Sequence, residues 1–280
     1  MNKESSKKRV AVLFSSGLDS TYLIYKNLEE GNHVLPVYVE ITNNINKVKI
    51  EKQNIFMLYE LFVGKYGHDL ISKPIIVTEV SVNNYSHEII FTQLPIWIFS
   101  ISYLTYSDLD EIQIAYVSND DAISYIPEIK KFYKAHKWLH RGKQPKLLFP
   151  LIKLMKYEII EKLPSQYKPY LTSCENPILL PFFMKVERYG TTERLQFYEP
   201  CGCCSPCERI IRDELSYNDT YGKLINERKE RNKLGEKFFY YKKYLPVEYD
   251  TLLESLSSAT LDLCSKSEYI EKADYEKGSE

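Results

Sequence analysis

The chain has 280 residues and a balanced charge, 37 Lys plus Arg against 38 Asp plus Glu, which argues against coating nucleic acid by bulk charge. A hydrophobic share of 44% is enough for a sizeable core and excludes global disorder. No window reaches ~18 consecutive apolar residues, and the run Val10 to Phe14 is too short for a secretory signal core, so no membrane span and a cytoplasmic location are expected.

Arg9 to Phe14 (RVAVLF) is a short continuous apolar run, the pattern of a strand buried on both faces. Ser15 to Ser20 follows as a loop, then a helix from about Thr21 to Glu30, stopped by Gly31 and Asn32. His33 to Ile41 reads as a second strand and Lys47 to Lys65 as a long helix closed by Gly67. Pro74 to Val80 is a third strand, Leu94 to Leu104 an apolar helix, Glu111 to Val117 a fourth strand, and Ile126 to Trp138 a helix. This alternation predicts an α/β fold, an open parallel sheet with helices on both faces. Ligands bind such sheets at the carboxyl ends of the strands, beside the switch point in strand order. The domain organisation expected is a nucleotide-binding α/β domain over residues 1–173, a cysteine-rich metal segment over 174–212 and a helical tail over 213–280. The tail carries aromatic runs such as Phe238-Phe239-Tyr240-Tyr241, which suit packing on the core or on a partner, whether another protein or a second copy of the chain.

Ser15, Ser16, Gly17, Leu18, Asp19 and Ser20 join the first strand to the first helix. Main-chain N–H groups of such a loop, with the helix N-terminus, form a site for phosphate or pyrophosphate. Serine hydroxyls add donors, and Asp19 can hold a Mg²⁺ bound to the phosphates. No G-x-x-x-x-G-K-[ST] and no dinucleotide fingerprint is present. On spacing alone, a tight turn with Asp19 as a helix cap accounts for the segment equally well.

Five of the six cysteines lie between Cys174 and Cys207. Cys201, Cys204 and Cys207 form C-x2-C-x2-C, with Cys174 upstream, and four thiolates can close a tetrahedral Zn²⁺ site. An iron–sulfur cluster is the rival reading, and disulfides are disfavoured in this compartment. Cys203 sits between the first two cysteines of the motif with no role assigned by the spacing, and Cys264, alone in the tail, reads as a buried or bystander thiol. The histidines are scattered, and Arg141, Lys143 and Lys146 read as a solvated basic loop, with a triphosphate contact as the second reading.

A strand, Ser-Gly-Gly-x-Asp-Ser and a helix mark the PP-loop ATP pyrophosphatases, and Phe14 to Thr21 resembles that signature with Ser16 in place of the first glycine. The resemblance implies an adenine nucleotide alpha hydrolase-like fold, cleavage of ATP between its α and β phosphates, and Asp19 and Ser20 as the catalytic pair of the loop. Ser15, Gly17, Asp19 and Ser20 would grip the departing pyrophosphate. Ser16 brings a Cβ to a position the family leaves bare, which calls for a local backbone adjustment.

Thr172-Ser173-Cys174, Pro200-Cys201-Gly202-x-Cys204-x-x-Cys207, Pro150-Leu151 and Lys156-x-Glu158 together resemble the 7-cyano-7-deazaguanine synthase family of the queuosine pathway. The resemblance implies a ligase that uses ATP, Mg²⁺ and Zn²⁺, adenylates the carboxylate of a 7-carboxy-7-deazaguanine and converts it with ammonia to an amide and then a nitrile. Asp120, Ser124 and Lys156 fall where the family contacts substrate. The departures lie near the substrate. Tyr38 to Asn43 replaces the family's Gly-Gln-Arg-His, Thr92 to Pro95 replaces its Pro-Gly-Arg-Asn, and Asn119 to Glu128 matches only in part. A divergent member is expected, with a small-molecule deazapurine substrate and no nucleic acid. Two alternatives stay open. One is transfer of the acyl group to a protein amine, as suits relatives in antiphage defence. The other is a PP-loop tRNA-thiolating enzyme with an iron–sulfur cluster.

Overall fold

The computed structural model describes residues 7–41, 44–80, 97, 100, 108–118, 120–136, 144–188, 191–201, 204, 206–207 and 270–272. The apolar run near the start is β1 (Arg9–Leu13), which alternates its side chains between two cores. Val10 and Val12 enter one core and Ala11 the other, so the strand is covered on both faces. β2 (His33–Ile41) pairs with β1 in parallel, Val10 opposite Val34. β3 (Ile75–Val80) pairs outside β2. β4 (Glu111–Gln113) lies on the other side of β1, with Glu111 opposite Val10, and β5 (Lys146–Leu148) lies outside β4. The order is therefore β3-β2-β1-β4-β5, all parallel. The connections run outward one way from β1 and then the other, so the switch point lies between β1 and β4.

α1 (Leu18–Glu29), α2 (Ile45–Tyr66) and α4 (Lys156–Lys162) cover one face. α3 (Ile126–Ala135) covers the other through Ile126, Ile129 and Tyr133. Asn44 caps α2 by accepting the Lys47 N–H at 3.1 Å. Gly31 and Gly67 take φ of 73° and 80° just beyond α1 and α2, conformations that a Cβ would penalise.

Three features differ from the sequence reading. α1 begins at Leu18 rather than about Thr21, because Gly17 is its N-cap. The fourth strand ends at Gln113, although Ile114, Ala115 and Val117 stay buried beyond it. Residues 174–207 hold a hairpin that the sequence reading lacks. β6 (Ile178–Arg188) pairs antiparallel with β7 (Thr191–Glu199), and β8 (Ile270–Lys272) pairs antiparallel with β6. Residues 270–272 are thus strand, where a helical tail was expected, and the rest of 213–280 lies outside the described residues. The expected helix over 94–104 is described only at Trp97 and Ser100, both helical. β7 is tied to α2 by Gln53, whose side-chain amide bonds both the N–H and the C=O of Gln196. The hairpin segment shares the first core, since Leu195, Cys174, Cys201 and Cys207 pack with Tyr167 and Phe62.

Candidate functional site

A cavity of about 330 Å³ opens at the carboxyl ends of β1, β2 and β4. Ser15, Gly17, Leu18, Asp19 and Ser20 form one wall, and Val37, Tyr38, Val39 and Ile41 of β2 form another. The location follows from topology, since the loops after β1 and β4 diverge at the switch point and leave a crevice.

The loop side is polar. Gly17 caps α1 without a side-chain bond, so Asp19 is not the capping residue but sits in the first turn. There its charge is favoured by the helix N-terminus. Asp19 Oδ2 meets Lys156 Nζ at 3.2 Å, each side chain 19% exposed, so α4 delivers a cation to a loop more than a hundred residues upstream. Ser20 Oγ donates to Gly17 O at 3.2 Å. Ser16 is fully buried with φ 55°, in the left-handed region that favours glycine.

The remaining predicted residues separate. Asp120 lines the cavity and accepts the Val117 N–H at 3.1 Å. Ser124 is exposed on the 3-10 turn and is not part of the cavity wall. Lys146 opens β5 opposite Glu111, at the amino edge of the sheet, the far end from the loop, so it makes no triphosphate contact here. Arg141, Lys143, Cys203 and Cys264 lie outside the described residues. His33 and His68 contact Ser72 and Tyr59, which is a structural use.

A charged group opposite the loop was not foreseen. Lys47 Nζ lies 2.5 Å from Glu175 Oε2 and 3.9 Å from Glu51 Oε1, and Tyr38 donates to Glu51 Oε2 at 2.6 Å. All four residues line the cavity. Burial pushes the Glu51 carboxyl up, against the pull of Lys47 and Tyr38. Burial opposes the Lys47 charge, but Glu51 and Glu175 outweigh it and hold the ammonium above its ordinary value. Replacing Lys47 with Met would leave two carboxylates facing each other at the cavity wall. We expect a loss of about 3–5 kcal/mol in urea denaturation at neutral pH. A loss below about 1 kcal/mol would mean that water reaches the group freely. The signal in the sequence was positional. Glu51 and Asn54 stand on the stripe of α2 that also carries Ile55, Leu58 and Phe62, all buried.

Beyond Glu175 lies the thiol cluster. The sulfurs of Cys174, Cys201, Cys204 and Cys207 all lie within 4.8 Å of one another. Cys204 Sγ is 3.4 Å from Cys207 Sγ and 4.0 Å from Cys174 Sγ. The Cys201 N–H points at Cys174 Sγ at 3.1 Å and the Glu175 N–H at Cys204 Sγ at 3.4 Å, the arrangement that stabilises thiolates. Hydrogen bonding from Cys174 draws the Cys204 thiol down to about 7, while its neighbours push Cys174 and Cys207 up. Four thiols this close ionise together only around a cation, so the donor set fits a bound metal.

No protein-family model matches the chain, and no curated protein does. Among solved structures, the U34-tRNA thiolase NcsA from Methanococcus maripaludis with its [4Fe-4S] cluster aligns at 14% identity over 84% of this chain and 75% of that one, TM-score 0.39. An NMN synthetase from Francisella tularensis aligns at 16% identity over 56% and 60%, TM-score 0.35. A predicted subunit of a tRNA methyltransferase from Methanocaldococcus jannaschii aligns at 12% identity over 74% and 88%, TM-score 0.32. Likeness at this level carries no substrate, cofactor or partner to this chain. What defines the class is the fold and its crevice: an open parallel α/β protein with a strand–loop–helix turn lining a cavity at the switch point. Among the described residues, no helix is long and apolar enough to cross a membrane.

Proposed function

We propose that the chain is an ATP-dependent ligase that adenylates the carboxylate of a 7-carboxy-7-deazaguanine-like substrate, releases pyrophosphate, and replaces the activated oxygen with nitrogen from ammonia. The observation that carries this is the Asp19–Lys156 pair on the phosphate-loop wall of a cavity whose far wall is Lys47, Glu51 and Glu175. One wall suits a polyanion and the other a polar small molecule.

The chemistry needs an activated carboxylate, because oxide is a poor leaving group. Attack of a carboxylate oxygen on the α-phosphorus of ATP forms the acyl adenylate and expels pyrophosphate. The N-terminus of α1, the Ser15 and Ser20 hydroxyls and Lys156 supply donors and positive charge where that charge develops. Asp19 is the residue that would hold Mg²⁺, which neutralises phosphate oxygens when bound. Asp19 also keeps Lys156 aimed at the loop before nucleotide arrives. Ammonia then attacks the acyl carbon, AMP leaves with a proton lost from nitrogen, and an amide results; a second ATP adenylates the amide oxygen with release of pyrophosphate, and loss of AMP and the two nitrogen-bound protons to solvent yields the nitrile. Tyr116 and Trp97 give the cavity flat apolar surface suited to a heteroaromatic ring.

The metal is taken to be Zn²⁺ with a structural role. Zinc–thiolate bonds of ~2.3 Å set tetrahedral sulfurs about 3.8 Å apart, in keeping with the observed cluster, whereas an iron–sulfur cube holds its thiolates farther apart. The test is incubation of the purified chain with ATP, Mg²⁺, the deazaguanine acid and ammonia, followed by mass spectrometry. The expected products are AMP, pyrophosphate and the amide or nitrile, with labelled carboxylate oxygen recovered in AMP. Nucleotide cleavage without label transfer would exclude adenylation of this acid.

A further inference from the structure

We propose that Thr172 is a positioning residue that couples the thiolate centre to the phosphate loop, so that loading of the metal sets the loop's affinity for pyrophosphate. The inference rests on the phosphate-loop reading above and adds a control element to it.

Ser16 is the residue that needs explaining. Among the described residues it alone combines a side chain with positive φ. That conformation costs free energy for any residue with a Cβ, so something must hold it. What holds it is the strap before Cys174. The Thr172 N–H donates to Ser16 O at 2.8 Å. The Thr172 and Ser16 hydroxyl oxygens lie 3.0 Å apart, and Ser16 Oγ donates to Ser15 O at 2.6 Å. Asn54 of α2 donates to Thr172 Oγ1 at 2.8 Å, and its amide also reaches the Tyr198 hydroxyl at 3.2 Å. Tyr198 in turn donates to Leu171 O at 3.0 Å. Ser16, Asn54 and Thr172 are all buried, so each lost bond leaves a group without water to replace it.

The consequence for the site follows from peptide planarity. The Ser16–Gly17 unit is trans, so fixing Ser16 O toward Thr172 turns the Gly17 N–H to the opposite side. Gly17 lines the cavity, and the N–H of such a residue is what a phosphate oxygen would meet. The strap is itself anchored at the metal cluster. Thr172 lies two residues before Cys174 and Tyr198 three before Cys201, and the Cys201 N–H points at Cys174 Sγ. Both ends of the hydrogen-bond chain are therefore gathered by the same thiolates. With the metal lost, nothing draws the four sulfurs together, the strap loosens, and Ser16 is no longer held in its costly conformation.

The test is calorimetric titration of the full chain with inorganic pyrophosphate, with metal content measured on each sample. Thr172→Val keeps the main-chain bond to Ser16 O but removes the hydroxyl that faces Ser16 Oγ and accepts from Asn54; it should retain the metal and bind pyrophosphate about tenfold more weakly. Thr172→Ser should restore binding. Chelation should weaken the unmodified chain at least as much, but should change Thr172→Val by less than about threefold. Ser16→Gly removes the hydroxyl without forcing strain, so it folds where other changes fail. In that background Thr172→Val should again cost less than about threefold. Unchanged pyrophosphate affinity in metal-loaded Thr172→Val, or additive losses in the double variant, would overturn the coupling and leave the ATP reading standing. Absence of pyrophosphate binding in the unmodified chain would overturn both.

Discussion

Asp19→Ala is expected to lower cleavage of ATP to AMP and pyrophosphate by about 10³-fold or more, while the chain stays folded. The size follows from where charge develops. Expulsion of pyrophosphate places negative charge on oxygens that the loop, Lys156 and an Asp19-held Mg²⁺ would meet together. Removing Asp19 takes away the cation's ligand and frees Lys156 to swing toward solvent. The fold survives because the Asp19–Lys156 pair is partly exposed, and pairs of that kind contribute at most about 1 kcal/mol. Asp19→Asn should be nearly as inactive, since an amide holds a divalent cation poorly. Nucleotide products separated by chromatography, beside a thermal melt, check both halves. If ADP and phosphate accumulate instead, cleavage lies at the γ-phosphate and the pyrophosphatase reading fails. If Asp19→Ala melts far below the unmodified chain, the carboxylate holds the fold together rather than the reaction.

The parallel sheet was legible because its strands are continuous apolar runs separated by helical periodicity, as in Val10 to Phe14 and His33 to Ile41. β5 was not, since Lys146–Leu148 is too short to show a pattern, and its identity as a strand comes only from pairing with β4. The β6–β7 hairpin was hidden for a different reason. Its ladder pairs charged and polar residues, such as Lys185 with Arg194 and Glu187 with Thr192, and Pro181 interrupts the run at a register shift. In the site, the loop and the four clustered cysteines were readable as local spacings. Lys47, Glu51 and Glu175 were not, because a buried ion group has no motif; only Glu51 on an apolar helix stripe hinted at it. The tie between Ser16 and Thr172 spans 156 positions, and no local pattern encodes it.

Removal of the metal is expected to destabilise the chain about as much as the loss of Lys47. Cys174, Cys201 and Cys207 are buried in the same core as Leu195, Tyr167 and Phe62, so the ion would sit at the seam between the hairpin and the sheet domain. Structural zinc supplies about 10–16 kcal/mol to small zinc-dependent peptides near neutral pH. Here part of that would be retained by apolar packing, so a loss of about 3–6 kcal/mol is expected on chelation. Cys174→Ser should do the same and empty the site, because its sulfur also accepts the Cys201 N–H that closes the seam. The dependence on acidity has a definite sign. Metal binding requires thiolates, and protons compete for them, so the metal should be retained above neutrality and released progressively as the pH falls. Neutral thiols left behind resemble small apolar groups, which lets the stripped chain stay partly folded rather than collapse. Metal content after dialysis at stepped pH, followed by urea denaturation of each sample, measures both effects. A stripped chain with an unchanged midpoint would make the cluster dispensable to the fold. A brown protein carrying iron and sulfide would replace zinc by a cluster and move the proposed chemistry toward sulfur transfer.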